Sequence, residues 1–370
     1  MIKTIYADFD NTIYEKTGSL NAGIDSILEI QKVSSSAGIY TSRILMKFPL
    51  GDISESCRNG TITSPKFYLN IYQTDAAEIP ADYTLITYPV SQSWSVGQGR
   101  KLDPVSINLY DKVGSSWIYR NKQNEGTNYV VARDTQWTSR SLATDSNMVY
   151  SSVTGGGTWY SNYYGTQSFE LETADIRMDV TPAIQYLLTG SRNDGLIILR
   201  SGSQETNTTK YGSIKFFSRE TNTIYQPKLE VVYDDSSFTT GSMTELTSDQ
   251  SVVYLKNLKH EYNRKEVPKI RVVGRDRYPT KTFSTQSNYK TIKFLPTSSQ
   301  YGVKDALTDE FVVPYSYLGT KLSCDSNGNY LKIEMDSFMP ERYYKLCFQV
   351  TQSDSSIVTY DDNFYFKVNR

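Results

Sequence analysis

The sequence predicts an all-β protein in two domains, on three observations. Tyrosine is in large excess, with 30 residues beside 14 Phe and 4 Trp, and aromatic and β-branched side chains fit pleated, half-buried surfaces. Short runs of alternating apolar and polar residues recur along the chain, each bounded by Gly, Pro, Asn, Asp or Ser. Helical periodicity is scarce, and alanine and leucine, the best helix formers, are sparse.

In the N-terminal part the strand-like runs are Thr41 to Phe48, Lys66 to Tyr72, Gly195 to Arg200, Gly212 to Phe217 and Pro227 to Tyr233. The C-terminal part continues with Lys269 to Val273, Tyr289 to Phe294, Phe311 to Pro314, Tyr330 to Met335, Tyr344 to Val350 and Asn363 to Val368. Six runs in a domain of this size suit an immunoglobulin-like sandwich. One short helix is predicted over Ala183 to Leu188, with Thr181 as its cap and Pro182 in its first turn.

The polar, aperiodic stretch Asp234 to Gln250 marks the division. It sets a first domain at 1–235, a linker at 236–250 and a second domain at 251–370. All four tryptophans precede the cut. Residues 1–245 carry 21 basic and 26 acidic side chains and residues 246–370 carry 18 and 14, so the two parts have opposite net charge. The basic excess concentrates in Lys256, Lys259, Arg264, Lys265, Arg271, Arg275 and Arg277, a stretch that would select an acidic partner surface. Arg271, Arg275 and Arg277 alternate along one strand and its continuation.

Several chemistries are disfavoured. No run approaches the roughly 20 apolar residues that span a bilayer, and no export signal opens the chain, so no membrane partner is expected. Cys57, Cys324 and Cys347 are too scattered for a disulfide framework or a zinc site, and no metal or cofactor is expected. His260, the single histidine, lies in the basic stretch and would have to serve any histidine-based hydrolase. The opening Ile5 to Tyr14 matches the D-x-D-x-T motif of haloacid-dehalogenase-type phosphatases, with Asp8 as nucleophile, Asp10 as general acid and Thr12 steadying phosphate. That chemistry needs a parallel sheet with crossover helices, which do not follow. No catalytic residues are assigned.

A series of features along residues 5–233 occurs in a familiar order. It runs through Asn21-Ala22-Gly23, Ser42-Arg43-Ile44-Leu45, Trp94, Trp117, Trp137, Gly155-Gly156-Gly157, Asp179-Val180-Thr181, Asn193-Asp194-Gly195, Ser218-Arg219-Glu220 and Pro227-Lys228-Leu229. This order resembles the DNRLRE and related disaggregatase-type carbohydrate-binding modules. The resemblance implies a jelly-roll β-sandwich, and glycan contact through exposed aromatic platforms. Trp94, Trp159, Tyr160, Tyr163 and Tyr164 are the residues named for that contact or for a protein contact, with Trp159 to Tyr164 the group expected at the surface.

The run Tyr254 to Tyr278, with Lys293-Phe294-Leu295-Pro296 and Pro340-Glu341-Arg342-Tyr343-Tyr344, resembles the C-terminal region of virion structural proteins of tailed phages. The expectation is a non-enzymatic virion protein of a tail baseplate or neck, assembled in host cytoplasm, held in multiple copies and docked on other virion proteins. A host surface glycan is the alternative partner, and nucleic acid is not expected as one.

Overall fold

In the computed structural model, the described residues are 1–36, 38–101, 113–122, 135–137, 148–150 (backbone only), 155–171, 175–190, 192–247, 251–280, 283, 291–351 and 355–370. The protein is all-β, with a sandwich-like character and antiparallel pairing in nearly every ladder. The chain divides into a larger unit, Ile5–Arg58 with Lys66–Glu230, and a smaller one, Met1–Thr4 with Asn59–Pro65 and Val231–Arg370. No helix of the described residues is long and apolar enough to cross a membrane.

The first part of the chain forms β1 (Ile2–Tyr6), β2 (Phe9–Tyr14), β3 (Ile27–Ser35), β4 (Gly38–Lys47), α1 (Gly51–Arg58), β5 (Lys66–Ile71), β6 (Gln73–Ala77), β7 (Asp82–Pro89), β8 (Tyr119–Asn121) and β9 (Thr135–Gln136). It continues with β10 (Met148–Tyr150), β11 (Thr158–Tyr160), β12 (Gly165–Glu170), β13 (Ile176–Asp179), α2 (Thr181–Thr189), β14 (Leu196–Arg200), α3 (Gly202–Thr206), β15 (Gly212–Phe217) and β16 (Lys228–Val232). One sheet runs β12-β7-β14-β4-β3-β15-β6, with β2 also on β4, and another runs β1-β16-β5-β13.

Strand β4 joins the large sheet together. Its first half pairs with β3, its second half with β14, and Ser42 to Lys47 also pair with β2. Six consecutive residues, Thr41 to Met46, are buried, so both faces of the strand are covered. Three of them are polar and need partners. The Thr41 amide and hydroxyl both donate to Glu15 Oε2, at 2.9 and 3.3 Å. Ser42 donates its hydroxyl to the Glu29 carbonyl at 2.6 Å and accepts from the Gln31 amide at 2.9 Å. Arg43 belongs to the site described below.

Helix α2 forms where the sequence predicts it, with Pro182 in the first turn, but Thr181 is not its cap. Val180 occupies that position without a side-chain bond. The Thr181 hydroxyl is instead taken by the Phe67 amide at 2.9 Å, a tertiary partner that local sequence does not announce.

The smaller unit contains β17 (Ser251–Lys256), β18 (Glu261–Asn263), β19 (Lys269–Asp276), β20 (Gln300–Asp305), β21 (Phe311–Val313), β22 (Ser323–Asp325), β23 (Gly328–Lys332), β24 (Arg342–Thr351) and β25 (Ile357–Asn369). They make two sheets, β17-β19-β23-β22 and β18-β25-β24-β20-β21, the β18–β25 pair being parallel. The predicted run Tyr289 to Phe294 falls partly outside the described residues, while Lys293 and Phe294 form single bridges to Gly274 and Glu245. The segment after β16 is also held within this unit: Phe238 bridges Cys324, and Leu246 is buried.

Phe338, Tyr344, Phe366 and Tyr262 form the aromatic centre of the smaller unit, with ring centroids 4.8 to 5.9 Å apart. Near the start of β24, the buried Tyr344 turns its hydroxyl back to the Met339 carbonyl at 3.0 Å. The apolar ring is thereby buried without leaving its polar tip unpaired.

Candidate binding surfaces

In the larger unit, alternation along β4 places Arg43 beside the segment Gly155-Gly156-Gly157. Its guanidinium carbon lies 4.7 Å from the Trp117 ring centroid and 5.1 Å from that of Trp159. Nε donates to Glu205 Oε1 at 2.8 Å, and Nη1 donates to the Gly156 carbonyl. Both members of the ion pair are about nine-tenths buried. Two of the three glycines, Gly155 and Gly156, follow from this packing, and Gly157 follows from Ile197, whose Cδ1 would lie 2.7 Å from an added Cβ. All have positive φ, and an added Cβ would lie 2.2 Å from the Trp117 carbonyl oxygen at Gly155 and 2.4 Å from Arg43 Nη1 at Gly156.

Lys32, on β3, supports the opposite wall. Its ammonium donates to the carbonyls of Gln204, Glu205 and Asn207 and to Asn207 Oδ1 at 2.6 to 3.0 Å, collecting acceptors at the C-terminal end of the short helix α3. Burial pulls its pKa below the ordinary lysine value. Between these walls lies a cavity of about 830 Å³, with Tyr88, Trp117 and Trp159 along its aromatic side and Glu15, Ser161 and Glu205 among its polar lining.

The structure redistributes the predicted aromatic platform. Trp117, Trp137 and Trp159 are core residues packed with Ile13, Leu45 and Ile197, and Trp94 packs against that cluster half-buried. Trp159, expected at the surface, is only 8% exposed, and Arg43 covers one of its neighbours' faces as well as its own. The Trp94 indole N–H is used by the Asp194 carbonyl at 2.8 Å. The tyrosines stay nearer solvent. Tyr160 and Tyr163 both pack on Tyr186 of α2, at 4.8 and 4.2 Å, while Tyr164 is half exposed and leans on Tyr88.

The basic stretch is dispersed in the smaller unit. Arg271 pairs with Asp325 at 2.5 Å and Lys269 reaches the same carboxylate at 2.8 Å, which holds Asp325 well below the ordinary carboxylate range. Lys259 pairs with Glu266 and Arg264 with Asp336. Arg275 donates to the Asp276 carbonyl, and Arg277 lies beyond the end of β19. Lys256 and Lys265 are exposed, Lys256 standing opposite Arg271 in the β17–β19 ladder. Lys256 and Arg271 also line a hollow of about 470 Å³ with Met243 and Asn327. His260 is exposed, and Cys324 and Cys347 are buried with their thiol pKa values raised by desolvation.

The opening aspartates lie in and beside an antiparallel ladder, β2 on β4, rather than at the end of a parallel strand. Asn11 and Thr12 are buried structural groups. Asn11 donates to Ser115 and accepts from the Ala22 amide, and Thr12 accepts from the Glu29 amide. Asp8 is exposed, whereas Asp10 is 2% exposed and accepts from the Arg219 amide at 2.6 Å. Burial pushes the Asp10 carboxyl up to about 7, and nearby Glu220 adds to the rise.

A folded-state value above the unfolded one means that Asp10 favours folding most below the ordinary carboxylate range and loses that contribution as pH rises through about 7. Asp10→Asn keeps an acceptor for Arg219 and removes the charge. The variant gains thermal stability over the parent at pH 8 relative to the difference at pH 5, measured by paired melting curves. An equal difference at both pH values contradicts this assignment. A scan against protein-family models finds no match to this chain, and a search of curated proteins finds none either.

Proposed function

We propose that the chain is a non-enzymatic virion structural protein of a tailed phage, a baseplate or neck component that docks neighbouring particle proteins. In this reading a jelly-roll β-sandwich precedes an immunoglobulin-like one. Counted without β18 and β21, the strand orders β17-β19-β23-β22 and β25-β24-β20 support the second half, because first, second, fifth and fourth strands share one sheet in immunoglobulin domains and the third, sixth and seventh share the other. The returning Tyr344 hydroxyl near the start of β24 also fits that family of sandwiches.

The observation that carries the docking role is an exposed aromatic row on β24 and β25. Tyr343 is 57% and Tyr365 41% exposed, and the register sets Tyr343 opposite Lys367 and Tyr365 opposite Lys345 on the same outer face. Rigid amphipathic rings beside long aliphatic stems make contact area at small entropic cost. The double variant Tyr343→Ala with Tyr365→Ala is expected to enter assembled particles about tenfold less well than the parent, as for loss of a central interface contact. Its circular dichroism stays unchanged. Undiminished incorporation contradicts the docking role of this face.

A second reading, a glycan-binding module, is favoured by the 830 Å³ cavity with its aromatic side and polar lining. Trp159 is a core residue, so its removal tests folding and not recognition. Tyr88→Ala and Tyr164→Ala are the informative variants. This reading predicts that the parent binds oligosaccharides on an array and that both variants lose that binding while remaining folded; an array without signal from the parent contradicts it.

A further inference from the structure

Strand β25 is thirteen residues long but is paired on both sides only near its end. On one side β24 follows Ile357 to Tyr360 and resumes at Phe364, so that Asp361, Asp362 and Asn363 stand opposite the single residue Cys347 as a bulge. On the other side β18 pairs only with Lys367 to Asn369. Among the described residues, no strand joins the second edge of Ile357 to Tyr360, although Ser251 and Tyr360 meet through their hydroxyls. Ile357 is 60% exposed at the start of this edge. At its other end, Asp361 is held by Lys345 at 3.0 Å, while exposed Asp362 has no ion pair among the described residues.

An unpaired edge is a template for another strand, and charges beside it decide which strand is accepted. We propose that Ile357 to Tyr360 is a docking edge joined by an extended segment of a partner protein that carries Lys or Arg where it passes Asp361 and Asp362. A second copy of the chain is a poorer occupant. Pairing Ile357 with Tyr360 of a second copy, in antiparallel sense, brings Asp361 and Asp362 opposite Ser356 and Ser355 of that copy, which supply no positive charge. A basic segment supplies both main-chain pairing and the missing cation. The inference rests on the docking role proposed above and names the chemistry of one partner.

Hydrogen–deuterium exchange of the full chain tests it without a particle. The probes are a hexapeptide alternating valine and lysine and its counterpart alternating valine and glutamate. The lysine peptide is expected to slow exchange at the amides of Ile357 to Tyr360, and the glutamate peptide is not. Asp362→Lys weakens binding of the lysine peptide about fivefold, the scale of an exposed ion pair, and exchange elsewhere in the chain is unchanged. Unaltered exchange at these amides with the lysine peptide overturns the proposal. So does slowing that appears without peptide as protein concentration rises, since a second copy is then the occupant. If the edge fails this test while Tyr343 and Tyr365 remain necessary for particle entry, the docking role survives and this site does not; edge protection with undiminished particle entry has the opposite meaning.

Discussion

The buried guanidinium of Arg43 is the contact on which the larger unit depends. It joins a side chain of β4, two indole rings, a backbone carbonyl of the glycine run and a carboxylate from α3. A cation taken out of water in this way is tolerable only with a paired anion and filled hydrogen bonds. Glu205 and Gly156 provide those, and the two rings provide polarisable faces. The consequence reaches the backbone: two successive glycines are required because a side chain at Gly155 or Gly156 would occupy space held by Trp117 or Arg43.

The same logic of satisfied burial organises the other polar side chains. Asn21 donates to the Val96 and Ser115 carbonyls and accepts from the Gly23 and Gly99 amides, using both ends of its amide inside the fold. In the smaller unit, Asp305 receives Arg342 together with the amides of Leu307 and Thr308, which lowers its pKa below the ordinary carboxylate value. These groups fix loops to strands and are occupied in doing so. Groups facing solvent on strands, such as Tyr343, Tyr365 and Asp362, retain capacity for external contact.

Much of the strand content is legible in the sequence because alternation and turn residues are local signals. Lys66 to Tyr72, Gly212 to Phe217 and Pro227 to Tyr233 coincide closely with β5, β15 and β16, and in Asn193-Asp194-Gly195 the Gly195 amide donates to Asn193 Oδ1 at 3.2 Å with Gly195 at positive φ. Thr41 to Phe48 is also a strand, but its burial on both faces follows from side chains packed over it, such as Trp117, Trp159 and Glu205 around Arg43, that alternation cannot name. The destination of the tryptophans is tertiary as well: their pattern marks the importance of the residues without distinguishing a platform from a core. The basic stretch is misleading for the same reason. Asp325 lies 54 residues from Arg271, and Asp336 lies 72 from Arg264, so neutralisation of these cations is invisible in a local charge count.

The most direct test of this account is chemical denaturation of Arg43→Ala followed by tryptophan fluorescence. Removal of the guanidinium strands the Glu205 carboxylate and uncovers two indole faces, so a loss of about 3–5 kcal/mol is predicted, with emission of the folded state shifted to the red. Adding Glu205→Gln is predicted to recover part of that loss. Parental stability and emission in Arg43→Ala would contradict the claim that this buried stack holds the larger unit together.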